Sequence, residues 1–318
     1  MGNCFKNATE PLVTVIIATR NRCSLLSRAL KSVSTQTYRN LEVIVVDDAS
    51  EDDTSRAVDE FRHCFKNLEW IHNDEPRGGA AARNRGIRNA SGEYIAFLDD
   101  DDEWLPDKME KQITIMERDS SIGLTSCWNL RYFSDGIIEK IKRPESVNFS
   151  DLLWDNHLGS CSFCAARAGL VKEVGGFDES LVSGQDCDLW LKLARVTKIH
   201  VIPEYLAAYY EHGGERISNK MTSIMRGYRA LYLKYSSFMT RGCRRYHVAF
   251  LYYLKFRYLS GGRMTNLSKM FLFCPREKLF YFSLLITKNL LPGFIIRRLA
   301  AHSWLSGLKE RIFSPLTS

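Results

Sequence analysis

The 318-residue chain reads as an α/β protein with a mostly parallel central sheet, followed by a helical C-terminal region. Two observations predict this. Over roughly the first hundred residues, short apolar runs rich in Val and Ile alternate with amphipathic stretches, the pattern of parallel strands covered on both faces by helices. After Arg216 the apolar residues recur at helical spacing and the charge balance reverses.

The elements follow in order. Residues 12–18, LVTVIIA, form an apolar β-branched run and predict a buried strand. Ser24 is placed to cap the next helix, which shows Leu26, Leu30 and Val33 on one face. LEVIVV (41–46) predicts a second strand. Ser50 then predicts a cap, with Glu51, Asp52 and Asp53 in the first helical turn, where the helix dipole favours acids. LEWIH (68–72) is a third strand, GAAARNRGIRNA (79–90) a third helix and EYIAFL (93–98) a fourth strand. Pro106 suits the first position of another helix.

Beyond residue 118 the texture is less regular. IGLTSCWNLRYF (122–133) and SCSFCAA (160–166) read as strands, and DCDLWLKLARV (186–196) as an amphipathic helix. IHVIPEYLAAYYEH (199–212) predicts two strands with a turn at Pro203. A helix is expected around Ile224, Tyr228, Leu231, Tyr232 and Tyr235, and a second in YHVAFLYYLKFRYLS (246–260), stopped by Gly261-Gly262. A third apolar stretch, 279–296, is broken by Lys288, Asn289 and Pro292-Gly293. It falls short of the roughly 20 apolar residues that span a bilayer.

Composition narrows the classes. The chain is 45% hydrophobic and 25% charged, enough for a real core. Its nine cysteines are irregularly spaced, so a disulfide scaffold is not expected and a reducing cytosol is. Cys161-Ser-Phe-Cys164 is a lone CxxC without the second pair that zinc requires, and reads as two ordinary thiols. The N-terminus MGNCFKNATEPL has no apolar signal region, and Lys6 stands where a myristoylation motif wants Ser or Thr. Residues 216–318 hold nineteen Lys and Arg against two acids, a charge of +17, while residues 1–215 carry −10.

In open α/β sheets ligands bind beyond the carboxyl ends of the strands. Thr19-Arg20-Asn21, Asp47-Asp48 and the run Asp99 to Asp102 all fall there. A solvated acidic turn is the plain reading of four adjacent aspartates. Their place behind a buried strand favours the other reading, a hard-oxygen site for Mg²⁺ or Mn²⁺, which in turn binds a diphosphate. The glycine and distant glutamate of an EF-hand are missing, and so are a Walker A loop and a G-x-G-x-x-G.

The segments PLVTVIIATRNR, LEVIVVDDAS, AARNRGI, GEYIAFLDDDDEWLPDKM, VGGFDESL and SGQDCDLWLKLA, in this order, resemble the motifs of family 2 glycosyltransferases. The resemblance covers about residues 11–215. It implies a GT-A nucleotide-sugar-binding fold and an inverting, metal-dependent transferase. The nucleotide-binding half would run from about 11 to 118 and the acceptor half from 119 to 215, with 216–318 as a separate basic, aromatic-rich region. By resemblance, Thr19, Arg20 and Asn21 contact the nucleotide, Asp48 bonds the base, and Arg83 belongs to the donor-site loop. The family's DxD falls on Asp99–Asp101 or one residue later; aligning Pro106-Asp107 favours Asp101 as the metal ligand, with Asp99 and Asp100 beside ribose and diphosphate. The family's ED pair reads Gln185-Asp186 here, so its catalytic base maps to Asp186. Asp188, two residues on, points about 200° away on a helix and is the rival. His212 matches a frequent histidine near the diphosphate, and a metal-ligand role is implied for it.

The expected partners are therefore a nucleoside-diphosphate sugar, with uracil as the base by resemblance, and a glycan or lipid-linked acceptor of cell-surface polysaccharide, O-antigen or lipopolysaccharide synthesis. The competing classes are a sugar nucleotidyltransferase, which would want a Gly-rich loop and a lysine after the first strand, and a non-catalytic nucleotide-sugar-binding protein, which would have lost Asp101 or Asp186. The tail interleaves aromatics such as Tyr252, Tyr253, Phe256, Phe280 and Trp304 with Lys and Arg. That mixture predicts peripheral attachment to an anionic membrane surface on the cytoplasmic face; a packed helical annex or dimer interface is the alternative. No nucleic-acid motif is present.

Overall fold

The computed structural model of the chain describes residues 10–211, 221–258 and 263–275. These fall into two compact units. The first holds a single ten-stranded sheet, and its four leading strands are parallel: β1 (Val13–Thr19), β2 (Leu41–Asp47), β3 (Asn67–His72) and β4 (Tyr94–Asp99). The sheet order is β3-β2-β1-β4-β9-β6-β10-β5. Here β5 is Glu103–Trp104, β6 Ile122–Tyr132, β9 Ala165–Arg167 and β10 Lys198–Tyr210. Strand β9 runs antiparallel to both β4 and β6, while β6 and β10 are parallel. Two short strands, β7 (Ile138–Ile141) and β8 (Ser146–Val147), pair antiparallel with β6 and β10.

The helices of this unit are α1 (Cys23–Ser34), α2 (Thr54–Phe61), α3 (Gly79–Asn89), α4 (Lys108–Arg118), α6 (Ala168–Glu173) and α7 (Gln185–Leu193), together with the residues of α5 (Phe149–Trp154) up to Leu152; the last two residues of α5 belong to the second unit. Side chains of a strand alternate between faces. Val13, Val15 and Ile17 of β1 share a core with Leu26, Leu30 and Val33 of α1 and with Met109, Ile113 and Met116 of α4. Ile16 points to the other face, where α3 comes so close that a methyl on Gly86 would lie 2.5 Å from Ile16 Cγ2. Burial on both faces explains why β1, β2 and β4 are continuous apolar runs.

Several expectations need correction. Neither Ser24 nor Ser50 caps a helix. Arg22 is the N-cap residue of α1, and the free N–H of Cys23 is met from another loop, by Asp52 Oδ2 at 2.9 Å. Helix α2 starts at Thr54, after the acids that were expected inside its first turn. Helix α4 starts two residues after Pro106. The SCSFCAA segment is a 3-10 turn (Cys161–Phe163) followed by the short β9, and its Ser160 and Ser162 make side-chain bonds described below. Pro203 does not break the sheet: β10 continues through it, with register shifts between Ile202 and Ala207. Both CxxC thiols are buried, and burial pushes them up, Cys164 to about 12; they behave as packing groups.

The second unit contains α8 (Met221–Tyr235), α9 (Arg241–Tyr258) and α10 (Arg263–Phe273). The sequence did not suggest α10. Tyr246, Ala249, Tyr253 and Leu254 of α9 pack with Met270 of α10. His247 is buried between Tyr228, whose hydroxyl meets Nδ1 at 2.5 Å, and the Leu153 carbonyl, 2.6 Å from Nε2. The apolar stretch 279–296 and the tail aromatics from Phe280 onward lie outside the described residues. No helix among the described residues is long and apolar enough to cross a membrane.

Candidate active site

Register brings the polar clusters together. Thr19 at the end of β1 stands opposite Asp47 of β2, and Ala18 opposite Asp99 of β4. Asp99 to Asp102 then form one tight turn, closed by Asp102 N–H donating to the Asp99 carbonyl at 3.0 Å. Each carboxylate of the run has its own partners. Asp99 accepts from Arg83 Nη2 of α3 at 2.5 Å and from Ser160 Oγ at 2.8 Å. Asp100 accepts from Thr19 Oγ1 at 2.8 Å and Arg22 Nη1 at 2.9 Å. Asp101 lies 3.4 Å from the same Arg22 nitrogen, and its backbone carbonyl accepts from Arg28 Nη2 at 2.6 Å. Asp102 is fully buried; it accepts from Ser162 Oγ at 2.6 Å and Tyr210 N–H at 3.4 Å. It therefore ties the turn to β10, while Asp99, Asp100 and Asp101 make up the cluster with Thr19, Arg22 and Arg83.

The other residues expected on the donor side have different surroundings. Arg20 is exposed. Asn21 adopts a left-handed φ of 52°, tolerated by Asn, and its Oδ1 accepts from Glu51 N–H at 2.7 Å. It staples the β1 loop to the β2 loop. Asp48 is buried and accepts from Asn73 Nδ2 at 2.8 Å, Arg77 N–H at 2.8 Å and Gly78 N–H at 2.7 Å. This carboxylate shapes the loop entering α3, where Gly78 has a φ of 89° that favours glycine. His212 lies outside the described residues.

Asp186, in the first turn of α7, is half-buried, and its Oδ1 accepts the N–H of Cys187 at 2.8 Å. Burial raises its pKa above the ordinary carboxylate range; the Cys187 N–H opposes this, Asp99 adds to it and Arg83 opposes it. Asp186 thus stands within electrostatic reach of the Asp99–Arg83 pair. Burial works against the charge on Arg83, and Asp99 more than offsets it, so Arg83 stays protonated. Asp188 is completely buried and pairs with Lys192 Nζ at 3.4 Å, inside the helix's packed face. Of the two, only Asp186 is accessible beside the polar cluster.

Among the described residues no group of three or more His, Cys, Asp or Glu closes on one point as a ready metal cage. Two carboxylates, Asp100 and Asp101, do converge on one cation, the Arg22 guanidinium. Mg²⁺-type ions are commonly held by one or two carboxylates completed by substrate phosphates and water. The donor set is all hard oxygen and already gathers positive charge, so it fits such an ion.

Residues 14–175 match the family model described as glycosyl transferase family 2. The chain belongs to this family. It is 31% identical over 206 residues to an uncharacterised glycosyltransferase of Methanocaldococcus jannaschii, covering 63% of this chain and 71% of that one. A Rickettsia conorii relative, an uncharacterised glycosyltransferase, is 35% identical over 64% of this chain, but the match spans 33% of its length. The UDP-Glc:alpha-D-GlcNAc-diphosphoundecaprenol beta-1,3-glucosyltransferase of Escherichia coli is 31% identical, over 60% of this chain and 73% of that enzyme. The fold is that of solved GT-A transferases. TarS of S. aureus, crystallised with UDP-GlcNAc, superposes with a TM-score of 0.64 at 18% identity, over 84% of this chain and 82% of that one. The mannosyltransferase of Pyrobaculum calidifontis, with GDP-Man and Mn²⁺, gives 0.58 at 20% identity, over 96% and 82%.

Sequence reasoning missed four of the groups that build the cluster. Arg22 lies one residue beyond the turn that drew attention, and Arg28 is one basic residue of a helix face. Ser160 and Ser162 were hidden in a segment read as a strand. No sequence signal separates these from ordinary surface or packing residues, because each is recruited by a contact some 60 to 80 positions away.

Proposed function

We propose that this family 2 glycosyltransferase moves a sugar from a nucleoside-diphosphate sugar to an acceptor hydroxyl, with inversion at the anomeric carbon. The observation that supports this is a half-buried carboxylate, Asp186, beside a rim of Asp99, Asp100, Asp101, Arg83 and Thr19. Asp186 is the general base. It takes the proton of the acceptor hydroxyl as that oxygen attacks, and its raised pKa makes it a stronger proton acceptor. With one base and no enzymic nucleophile, a single displacement inverts the centre. Asp101 holds the divalent metal, Mn²⁺ or Mg²⁺, with Asp100 beside it. When bound, the ion supplies Lewis-acid neutralisation of the leaving diphosphate. Arg83, kept charged by Asp99, adds a fixed positive group near the same position. Thr19, Arg20, Asn21 and Asp48 bind the nucleoside, and His212 completes the metal side.

A UDP-sugar donor and a diphosphate-linked lipid acceptor are the preferred substrates, by likeness to the E. coli relative's stated reaction. The non-catalytic alternative is disfavoured by the retention of Asp101 and Asp186. A melting-temperature panel of nucleoside diphosphates with Mn²⁺ tests the donor site, because a ligand selective for the native state raises the melting point. Stabilisation by UDP that needs Mn²⁺ is expected; indifference to every nucleotide overturns the reading. The basic region from 216 onward is proposed to hold the enzyme on anionic lipid at the cytoplasmic face. Cosedimentation with anionic vesicles, reversed by salt and lost on truncation after Glu215, is expected; failure to bind at low salt refutes it.

A further inference from the structure

Arg22 stands where a metal ion would be expected. Its Nη1 is 2.9 Å from Asp100 Oδ1 and 3.4 Å from Asp101 Oδ2, so one guanidinium nitrogen bridges both carboxylates. The other oxygen of Asp100 is engaged by Thr19 at 2.8 Å. A divalent ion bound by Asp101 beside Asp100 would approach the oxygens that already face Arg22. Two cations a few ångström apart at a poorly solvated site repel strongly. Metal entry and the present Arg22 position therefore exclude one another.

The side chain is partly exposed and comes from a loop. Arg22 is the N-cap residue of α1, its side chain is 27% exposed, and it reaches the aspartates from the loop after β1. Asp100 and Asp101 are, by contrast, set into the turn: Arg28 holds the Asp101 carbonyl, pairs with Glu103 at 3.0 Å, and lies 4.0 Å over the Tyr210 ring. The anionic frame is fixed and its counter-ion is a long arm. A planar guanidinium leaving two carboxylates is matched by the paired oxygens of a diphosphate.

We infer that Arg22 is a resident counter-ion of the metal carboxylates and transfers to the donor's diphosphate when the metal enters, so that metal and nucleotide bind as a coupled pair. This rests on the reading that Asp101 holds the metal. Without nucleotide, the ion must displace Arg22 into water and binds weakly. With nucleotide, Arg22 gains a new anionic partner as it leaves. The coupling is reciprocal by linkage, so Mn²⁺ strengthens UDP binding by the same factor as UDP strengthens Mn²⁺ binding. Such a device would keep the bare enzyme from holding a metal in an unfilled donor site.

The test is the affinity for Mn²⁺, read by electron paramagnetic resonance of the free ion, with and without UDP, in the full chain. The proteins are wild type, Arg22→Gln and Arg22→Lys, each first shown to be folded by its melting transition. Complexation of Mn²⁺ by UDP itself is common to all three and cancels. Arg22→Gln is expected to bind Mn²⁺ about tenfold more tightly than wild type without nucleotide, and its enhancement by UDP is expected to be smaller than the wild-type enhancement by a similar factor, the remainder coming from the diphosphate's own contact with the ion. Arg22→Lys, which keeps a charge on the arm, should stay near wild type; should the Gln variant not fold, Arg22→Met, an uncharged arm of similar length, takes its place with the same expected tightening of Mn²⁺ binding. Equal Mn²⁺ affinity of wild type and Arg22→Gln without UDP overturns the inference alone. A wild type that binds no Mn²⁺ even with UDP overturns the metal assignment together with it.

Discussion

Asp100→Asn should make the metal-free protein more stable. Asp100 is 4% exposed. Burial raises its pKa, Arg22 lowers it, Asp101 raises it and Thr19 lowers it, and the balance leaves it at about 6 against an ordinary 3.8. That gap corresponds to about 3 kcal/mol at neutral pH. The sign follows from proton linkage. Between pH 3.8 and about 6 the unfolded chain releases a proton that the folded chain retains, so stability falls as pH rises through this window and the loss is complete above it. Arg22 gains from the same contact, since the two aspartates outweigh the effect of burial on its charge; Asp100 loses on balance because it is the more deeply buried partner. Asparagine keeps the shape and still accepts from Thr19, but carries no charge to bury. For a unit of this size each kcal/mol moves the melting point by about 2–4 °C. With EDTA at pH 7.5 the variant should therefore melt several degrees higher, and the advantage should vanish near pH 4. Melting curves of both proteins across pH 4–8 provide the check. A variant less stable at pH 7.5, or an advantage independent of pH, would refute the argument. The same substitution should weaken metal-dependent UDP binding, so the acidic turn is a place where binding capacity is held at the expense of stability.

Three further outcomes are expected. Asp101→Asn should fold normally and abolish Mn²⁺-dependent UDP binding by calorimetry, whereas binding of unchanged strength would remove Asp101 from the metal. Asp186→Asn should bind UDP normally but transfer about 10²-fold or more slowly; if Asp188→Asn is instead the severe variant with an unchanged melting point, the base has been misassigned. Gly86→Ala pushes a methyl to 2.5 Å from Ile16, and such overpacking should lower stability by about 1–3 kcal/mol, read by urea unfolding.

The parts of the fold that sequence makes plain are those buried on both faces. The cores of β1, β2 and β4 hold residues such as Ile16, Ile44 and Phe97 that have no exposed alternative, and a continuous apolar run of that length admits few readings. Where tertiary contacts decide, the local signals misled. Pro203 looked like a turn, yet β8 flanks β10 only near residues 199–200 and β5 only at 207–208, so a missing N–H is tolerated between them. Ser24 and Ser50 looked like caps, but Asp52 serves α1 from a distant loop. In the site, the ends of buried strands pointed to Thr19, Asp48 and Asp99–Asp101. Arg83 was marked by the resemblance, but Arg22 and Arg28 could not be read, because they resemble any other surface arginine until the fold places them against the acidic turn.

The central claim is an inverting, metal-dependent transfer with Asp186 as base. Its most direct test is incubation of the purified protein with UDP-glucose, Mn²⁺ and a GlcNAc-diphosphate-lipid acceptor, with the product's anomeric configuration determined by nuclear magnetic resonance. The expected result is a glycosidic product of configuration opposite to the donor, lost with EDTA and reduced at least a hundredfold in Asp186→Asn, about 2.7 kcal/mol of barrier. A product that retains the donor's configuration, or one formed equally well by Asp186→Asn, would contradict it.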